Sequence, residues 1–200
     1  GIDYERLGIC LEEDFHLSFP YIFKFNNEIY MCPETSESGE IRIYKCIDFP
    51  LKWKLETTIM KNVFAQDNLI FEKDKIWWLL TNIDSSNVGD NCSELLIFYS
   101  KQSPLTDNWV AHKNNPVICN PLKARNGGLI IENNKFYRIN QKVGFKLYGK
   151  EFELNEIINL NENTFKEKKL FSVKPSYFKN IYLTHHYHSD GDYTAIDFAK

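Results

Sequence analysis

A strand, a short polar turn and an aromatic return strand recur three times along this chain, and no other feature restricts its fold as much. PYIFKFNNEIYM, running from Pro20 to Met31, aligns with NLIFEKDKIWWL from Asn68 to Leu79 and with GLIIENNKFYR from Gly128 to Arg138. A unit reused about every 40 to 60 residues is the mark of radial β architectures, in which each small sheet buries its faces only by laying them on its neighbours. The pattern therefore predicts an all-β propeller. No sustained i, i+3, i+4, i+7 apolar stripe competes with it, so helix should be a small fraction.

The rest of the chain fills in around the hairpins. In the first unit, about 16–60, a TSESG loop from Thr35 to Gly39 leads to an alternating strand from Ile41 to Cys46. A break at Phe49-Pro50 follows, and then a short outer strand from Trp53 to Met60. The second unit, about 67–118, keeps that order with a hairpin over 69–80, a polar loop over 82–93, a strand from Leu95 to Ser100 and an outer segment near Trp109. The third, about 124–160, has a hairpin over 129–139 and a strand over 145–152, and its segment Glu153 to Leu160 reads equally as a helical turn or an outer strand. A fourth, clipped unit over 177–200 pairs Ile181 to His188 with Tyr193 to Phe198 through the turn Ser189 to Asp192. Trp53 and Trp109 each follow a proline turn, which suits large rings sealing one blade on the next, with sugar stacking as the alternative.

Composition narrows the partners. With 24 Lys and Arg against 27 Asp and Glu, the chain carries no basic stripe, which argues against nucleic acid and anionic membrane surfaces. No apolar run approaches the ~20 residues needed to cross a bilayer, so the chain reads as soluble. Its five cysteines, Cys10, Cys32, Cys46, Cys92 and Cys119, are scattered without CxxC spacing, which suits reduced thiols in a cytoplasmic setting better than a disulfide framework or a zinc site. Two hundred residues suit one domain. No Ser-His-Asp elbow, P-loop or dinucleotide glycine fingerprint occurs, and no cofactor is expected.

The order of motifs adds a family. His16-Leu-Ser-Phe-Pro20, Met31-Cys-Pro-Glu-Thr-Ser36, Phe49-Pro-Leu-Lys-Trp53, Asp67, Trp109 with Asn114-Asn115-Pro116, and Ala124-Arg-Asn-Gly-Gly128 followed by Arg138 and Gln141 cover nearly the whole chain from residue 14. In that series it resembles the glycosidase-like N-terminal domain of glucosamine inositolphosphorylceramide transferases and their bacterial relatives. That domain is similar to the five-bladed propellers of the arabinanase, levansucrase and invertase group. The resemblance implies a carbohydrate-related domain of a larger protein, beside a transferase or sugar-modifying module. The Ala-Asp-Pro-Phe motif that usually opens the first blade of such propellers, and supplies a catalytic aspartate, does not occur here. The units then correspond to blades two to five of five, with one carboxylate of an inherited site lacking.

In a propeller the innermost strands converge on a central channel, bringing their entering ends together. Those ends are His16 and Ser18, then Asp67, then Arg125 and Asn126, then His185, with Glu34 leaning over the same mouth. Glycoside cleavage needs two carboxyl groups across the bond, ~5 to 5.5 Å apart for retention and ~6.5 to 9.5 Å for inversion, and Asp67 with Glu34 is the pair expected there. Arg125, beside Gly127-Gly128, has the planar fork to hold a carboxylate or phosphate, or to act on Asp67. Asn126, His185, His16, Arg138 and Gln141 complete the expected saccharide contacts. In His185-His186-Tyr187-His188 a strand puts 186 and 188 on one face and 185 on the other, so no metal site is expected, and His185 is taken as the pocket residue. A saccharide-binding domain, a glycoside hydrolase and a protein-interaction propeller are the three functions left open.

Overall fold

The computed structural model describes residues 5–144, 149–189 and 192–200. The first sheet is a four-stranded antiparallel meander of β1 (Ser18–Phe25), β2 (Glu28–Glu34), β3 (Glu40–Asp48) and β4 (Lys52–Lys61), with one 3-10 turn at Ser36–Ser38. The second runs β5 (Gln66–Lys73), β6 (Ile76–Asn82), β7 (Glu94–Ser100) and β8 (Val110–Ala111), with β9 (Ile118–Cys119) also paired to β7. The third runs β10 (Asn126–Glu132), β11 (Lys135–Gln141), β12 (Phe152–Asn161) and β13 (Thr164–Val173). A last hairpin joins β14 (Tyr187–Ser189) to β15 (Thr194–Ile196).

The three full hairpins are closed by the same device. Asn26-Asn27, Asp74-Lys75 and Asn133-Asn134 each form a two-residue loop with both φ values positive, from 49° to 62°. Such a loop matches the twist of the flanking strands, and Asn and Asp tolerate it best because their short polar side chains bond locally. A second repeated device lies at the entering end. The inner strand of each full hairpin carries a one-residue register shift, between Ser18 and Tyr21, between Gln66 and Leu69, and between Asn126 and Gly128. A bulge there bends the strand and re-aims the side chain at its crest, which is Phe19 in the first sheet and Asp67 in the second, at φ 45° and 49°.

The inner strands β1, β5, β10 and β14 adjoin one another in that order, forming a hub from which the sheets radiate. Between the first two sheets lie Phe23, Tyr30, Cys32, Ile41, Ile43, Ile59, Ile70 and Trp77, all buried. Between the second and third lie Phe71, Trp78, Leu80, Leu95, Ile97, Leu129 and Phe136. Alternation produces both layers, because Ile70 and Phe71 on one strand point to opposite faces and each face meets a different sheet.

The expected elements need three corrections. The strand placed over 145–152 falls in part on 145–148, outside the described residues, and the third strand of that sheet is Phe152–Asn161, so Glu153 to Leu160 is extended rather than helical. A fourth strand, Thr164–Val173, lies beyond the expected end of the unit; it is an edge strand whose exposed positions mix Lys166, Lys168 and Lys169 with Leu170 and Phe171, which hides any apolar alternation. Among the described residues of the last unit, only Tyr187–Ser189 and Thr194–Ile196 are strand, with one bridge from Leu183 to Ala199. Of its turn, residues 190 and 191 lie outside the described residues. The tryptophans also differ: Trp109 packs with Leu105 against the layer between the first two sheets, whereas Trp53 is half-exposed and donates Nε1–H to the Pro50 carbonyl at 2.8 Å.

Candidate functional site

Four of the expected residues come together at the entering end of the hub. Arg125 precedes β10, and its Nε–H donates to Asp67 Oδ2 at 2.5 Å; one terminal nitrogen lies 3.9 Å from Glu34 Oε2 and the other donates to Cys92 Sγ at 3.2 Å. Gln141, at the end of β11, donates Nε2–H to the same Asp67 Oδ2 at 3.1 Å and to the Asn126 carbonyl at 2.6 Å. Residues 58 and 74 positions apart from Asp67 thus meet on one carboxylate oxygen. All are nearly buried, with Asp67 3%, Glu34 7%, Arg125 9% and Gln141 1% exposed. A charge-assisted bond in such surroundings is stronger than its exposed equivalent, because little water competes for the groups.

Glu34 behaves differently from an ordinary carboxyl group. Burial, and then the negative charge of Asp67, push its pKa up to about 7, against the opposing pull of the Arg125 guanidinium. One guanidinium therefore faces two carboxyl groups, and its closest bond goes to Asp67. Glu34, which sits against both the side chain and the backbone N–H of Asp67, holds its proton to higher pH than an ordinary carboxyl group does. The site carries a hydroxyl donor, a carboxylate and a guanidinium within one small volume.

Asn126 supports this arrangement from behind. It is fully buried, and its amide donates to the carbonyls of Asp67 and Leu80 at 2.9 and 3.1 Å while its backbone N–H donates to Asn82 Oδ1. Asn82 in turn donates to the carbonyls of Glu94 and Ala124. Second and third sheets are stitched together by amides whose partners are all protein, so Asn126 holds Asp67 in place rather than reaching a ligand. Arg138 is likewise consumed: it is 0% exposed, takes Glu167 in two parallel bonds of 2.8 and 2.7 Å, and spends its other donors on Ala124, Lys123 and the Asn126 side chain. It lies under the site, not in it.

Two histidines are placed differently from expectation. His16 is exposed, and its backbone N–H donates to Glu37 Oε2 at 2.8 Å. His185 turns to Asp197, pairing Nδ1 with Oδ2, and packs beside Gly149. The ring that faces the hub belongs to His186, tilted at 32° against Phe19 with centroids 4.7 Å apart. Burial lowers its pKa first of all, opposed by the charges of Asp197 and Asp67, so burial favours its neutral form. Alternation along the strand carried the signal, since His186 and His188 share a face and both line a cavity of about 240 Å³ with Phe19 and Gly128.

The glycines after Arg125 have their own reason. A Cβ on Gly127 would lie 2.5 Å from the His185 carbonyl oxygen, and one on Gly128 would lie 2.1 Å from that of Tyr187, besides facing a φ of 143°. They let the last hairpin press its backbone onto β10, which closes the hub beside the site. Among the described residues, no group of three or more His, Cys, Asp or Glu could hold a metal ion.

Small antiparallel sheets around a common hub, with buried polar groups at its entering end, define a glycosidase-like β-propeller of the five-bladed type. Solved structures agree on the fold. The exo-β-1,3-galactanase of Phanerochaete chrysosporium superposes over 92% of this chain and 44% of its own at a TM-score of 0.59 and 9% identity. An endo-arabinase of Bacteroides thetaiotaomicron does so over 90% and 68% at 0.56 and 14% identity. The chain belongs to the family described as glucosamine inositolphosphorylceramide transferase 1, N-terminal, whose model matches residues 1–189. Glucosamine inositolphosphorylceramide transferase 1 of Arabidopsis thaliana is 37% identical over 180 residues, covering 88% of this chain and 23% of that protein. The Oryza sativa subsp. japonica protein of the same name is 38% identical over 170 residues, covering 84% and 22%. The chain thus spans less than a quarter of the length of these curated relatives. No helix among its described residues is long and apolar enough to cross a membrane.

Proposed function

We propose that this domain binds a saccharide, or a sugar-linked substrate, at the entering end of its hub, and that it does so for a transferase module of a larger protein. The observation that carries the reading is the convergence of Glu34 and the Asp67–Arg125 ion pair in one buried cluster at that end. A sugar offers vicinal hydroxyls that both donate and accept, and this cluster offers a carboxyl donor, a carboxylate acceptor and a guanidinium fork side by side. The kinship with transferases supports a role in handling a glycosyl substrate, and the galactanase of like fold was solved with β-1,3-galactotriose.

Binding is favoured here over hydrolysis by the placement of the carboxyl groups. A glycosidase needs its pair about 5 Å or more apart, on two sides of the bond to be broken. Glu34 instead sits against Asp67, with Arg125 engaging both, which leaves no gap for a glycosidic oxygen between them. Calorimetric titration with a glycan panel tests the reading: Arg125→Ala should lower affinity by about tenfold or more, in line with loss of a charge-assisted bond. Retained affinity in that variant would refute it. Turnover of an aryl glycoside that disappears in both Asp67→Asn and Glu34→Gln would establish the hydrolase instead.

A further inference from the structure

A ring lies exposed on the same face of the hub, three residues before Asp67. Phe64, in the link from β4 to β5, is 62% exposed, although the link around it is firmly held. The Val63 N–H donates to the Gly39 carbonyl at 3.0 Å, and Phe64 Cε1 lies 3.9 Å from where a Cβ on Gly39 would stand, so the ring rests on the loop that directly follows Glu34. That loop is itself tied by Ser38 and Gly39 N–H bonds to the Thr35 and Ser36 carbonyls. Three residues of chain keep the Cα atoms of Phe64 and Asp67 within about 11 Å.

Polar recesses flank the ring. One, of about 330 Å³, is walled by Asn62, Asp84, Asn87 and Asn91, with Val63 and Ile83 beside the ring. The other, of about 420 Å³, is walled by Glu37, Ser38 and Lys61. The first wall is preorganised, because the Asp84 carboxylate accepts the backbone N–H groups of Val88 and Gly89 at 2.9 and 2.6 Å. A lone aromatic face rimmed by amides, carboxylates and an ammonium group suits a ligand that alternates C–H faces with hydroxyls.

We propose that Phe64 and its two flanking recesses form a second saccharide subsite, continuous with the Glu34–Asp67–Arg125 cluster, which takes the next sugar residues of a chain. The proposal rests on the saccharide reading above, and its test separates the two. Calorimetry would compare methyl β-glycosides of xylose, galactose and glucosamine with the β-linked trisaccharides of the same sugars. The trisaccharide should bind about three- to tenfold more tightly, the scale of one aromatic contact. Phe64→Ala should bring that ratio close to one, and Phe64→Tyr should retain it. Arg125→Ala should weaken short and long probes alike. A ratio untouched by Phe64→Ala, a ratio lost equally in Phe64→Tyr, or no advantage for the trisaccharide would overturn the subsite and leave the Arg125 site standing. Altered self-association of Phe64→Ala on sedimentation, with the ratio intact, would assign the ring to a protein contact. No binding of any probe would remove both proposals.

Discussion

Replacing Glu34 by glutamine should alter how stability depends on pH, and the effect can be worked out from the site. In the folded chain the carboxyl group loses its proton near pH 7, whereas in the unfolded chain it does so at its ordinary value of 4.5. Between those values the folded state holds one proton more, so stability falls by about 1.4 kcal/mol per pH unit as pH rises. The contribution is fully present below pH 4.5 and lost once pH passes about 7, with an upper bound of roughly 3 kcal/mol. Glutamine keeps the shape of the protonated form and cannot ionise. The variant should match the parent near pH 4 and exceed it at pH 8, by on the order of 5 to 10 °C in Tm at most for a domain of this size. His186 works in the opposite sense, losing stability as pH falls below its ordinary value, but parent and variant share it, so it cancels in the difference. Thermal unfolding of both proteins at half-unit steps from pH 4 to 8 is the assay. Parallel curves across that range would mean that Glu34 ionises like an exposed carboxyl group, and the charge account of the site would fall.

Other consequences follow from the packing. Gly128→Ala should destabilise the chain by about 2 kcal/mol or more, measured by urea unfolding, because the added methyl group meets the Tyr187 carbonyl and a φ that L residues rarely adopt. Arg138→Met should cost about 3 to 5 kcal/mol by leaving Glu167 without its partner, and the double replacement with Glu167→Leu should recover a large part of it. Trp78→Ala, which empties the layer between the second and third sheets, should cost about 3 to 5 kcal/mol in the same assay.

The hairpins were legible because their signals are local: alternation, an aromatic return strand and a two-residue Asn or Asp turn all lie within a dozen residues. The convergence of Asp67, Arg125 and Glu34 was legible one step further on, since a hub of inner strands requires their entering ends to meet and Glu34 leaves the first hairpin over the same mouth. Other features escaped for physical reasons. Thr164–Val173 is an edge strand, and its lysines mask its alternation. His186 rather than His185 faces the hub because Asp197 accepts the backbone N–H groups of both residues and draws the ring of His185 to itself. Arg138 looked like a ligand contact because its partner Glu167 lies 29 residues away, in the strand that could not be read. The role of Gly127 and Gly128, making room for the backbone of the last hairpin, depends on a close approach between sheets that no spacing encodes.

The saccharide site is tested most directly by following the Arg125 Nε–Hε resonance by NMR while the chain is titrated with glycans. Its proton sits on the Asp67 carboxylate, so a sugar entering the cluster must change its surroundings. The account predicts a saturable shift of that signal together with the side-chain amide of Gln141. Saturable shifts confined to outer-loop amides, with both side-chain signals unmoved, would contradict it.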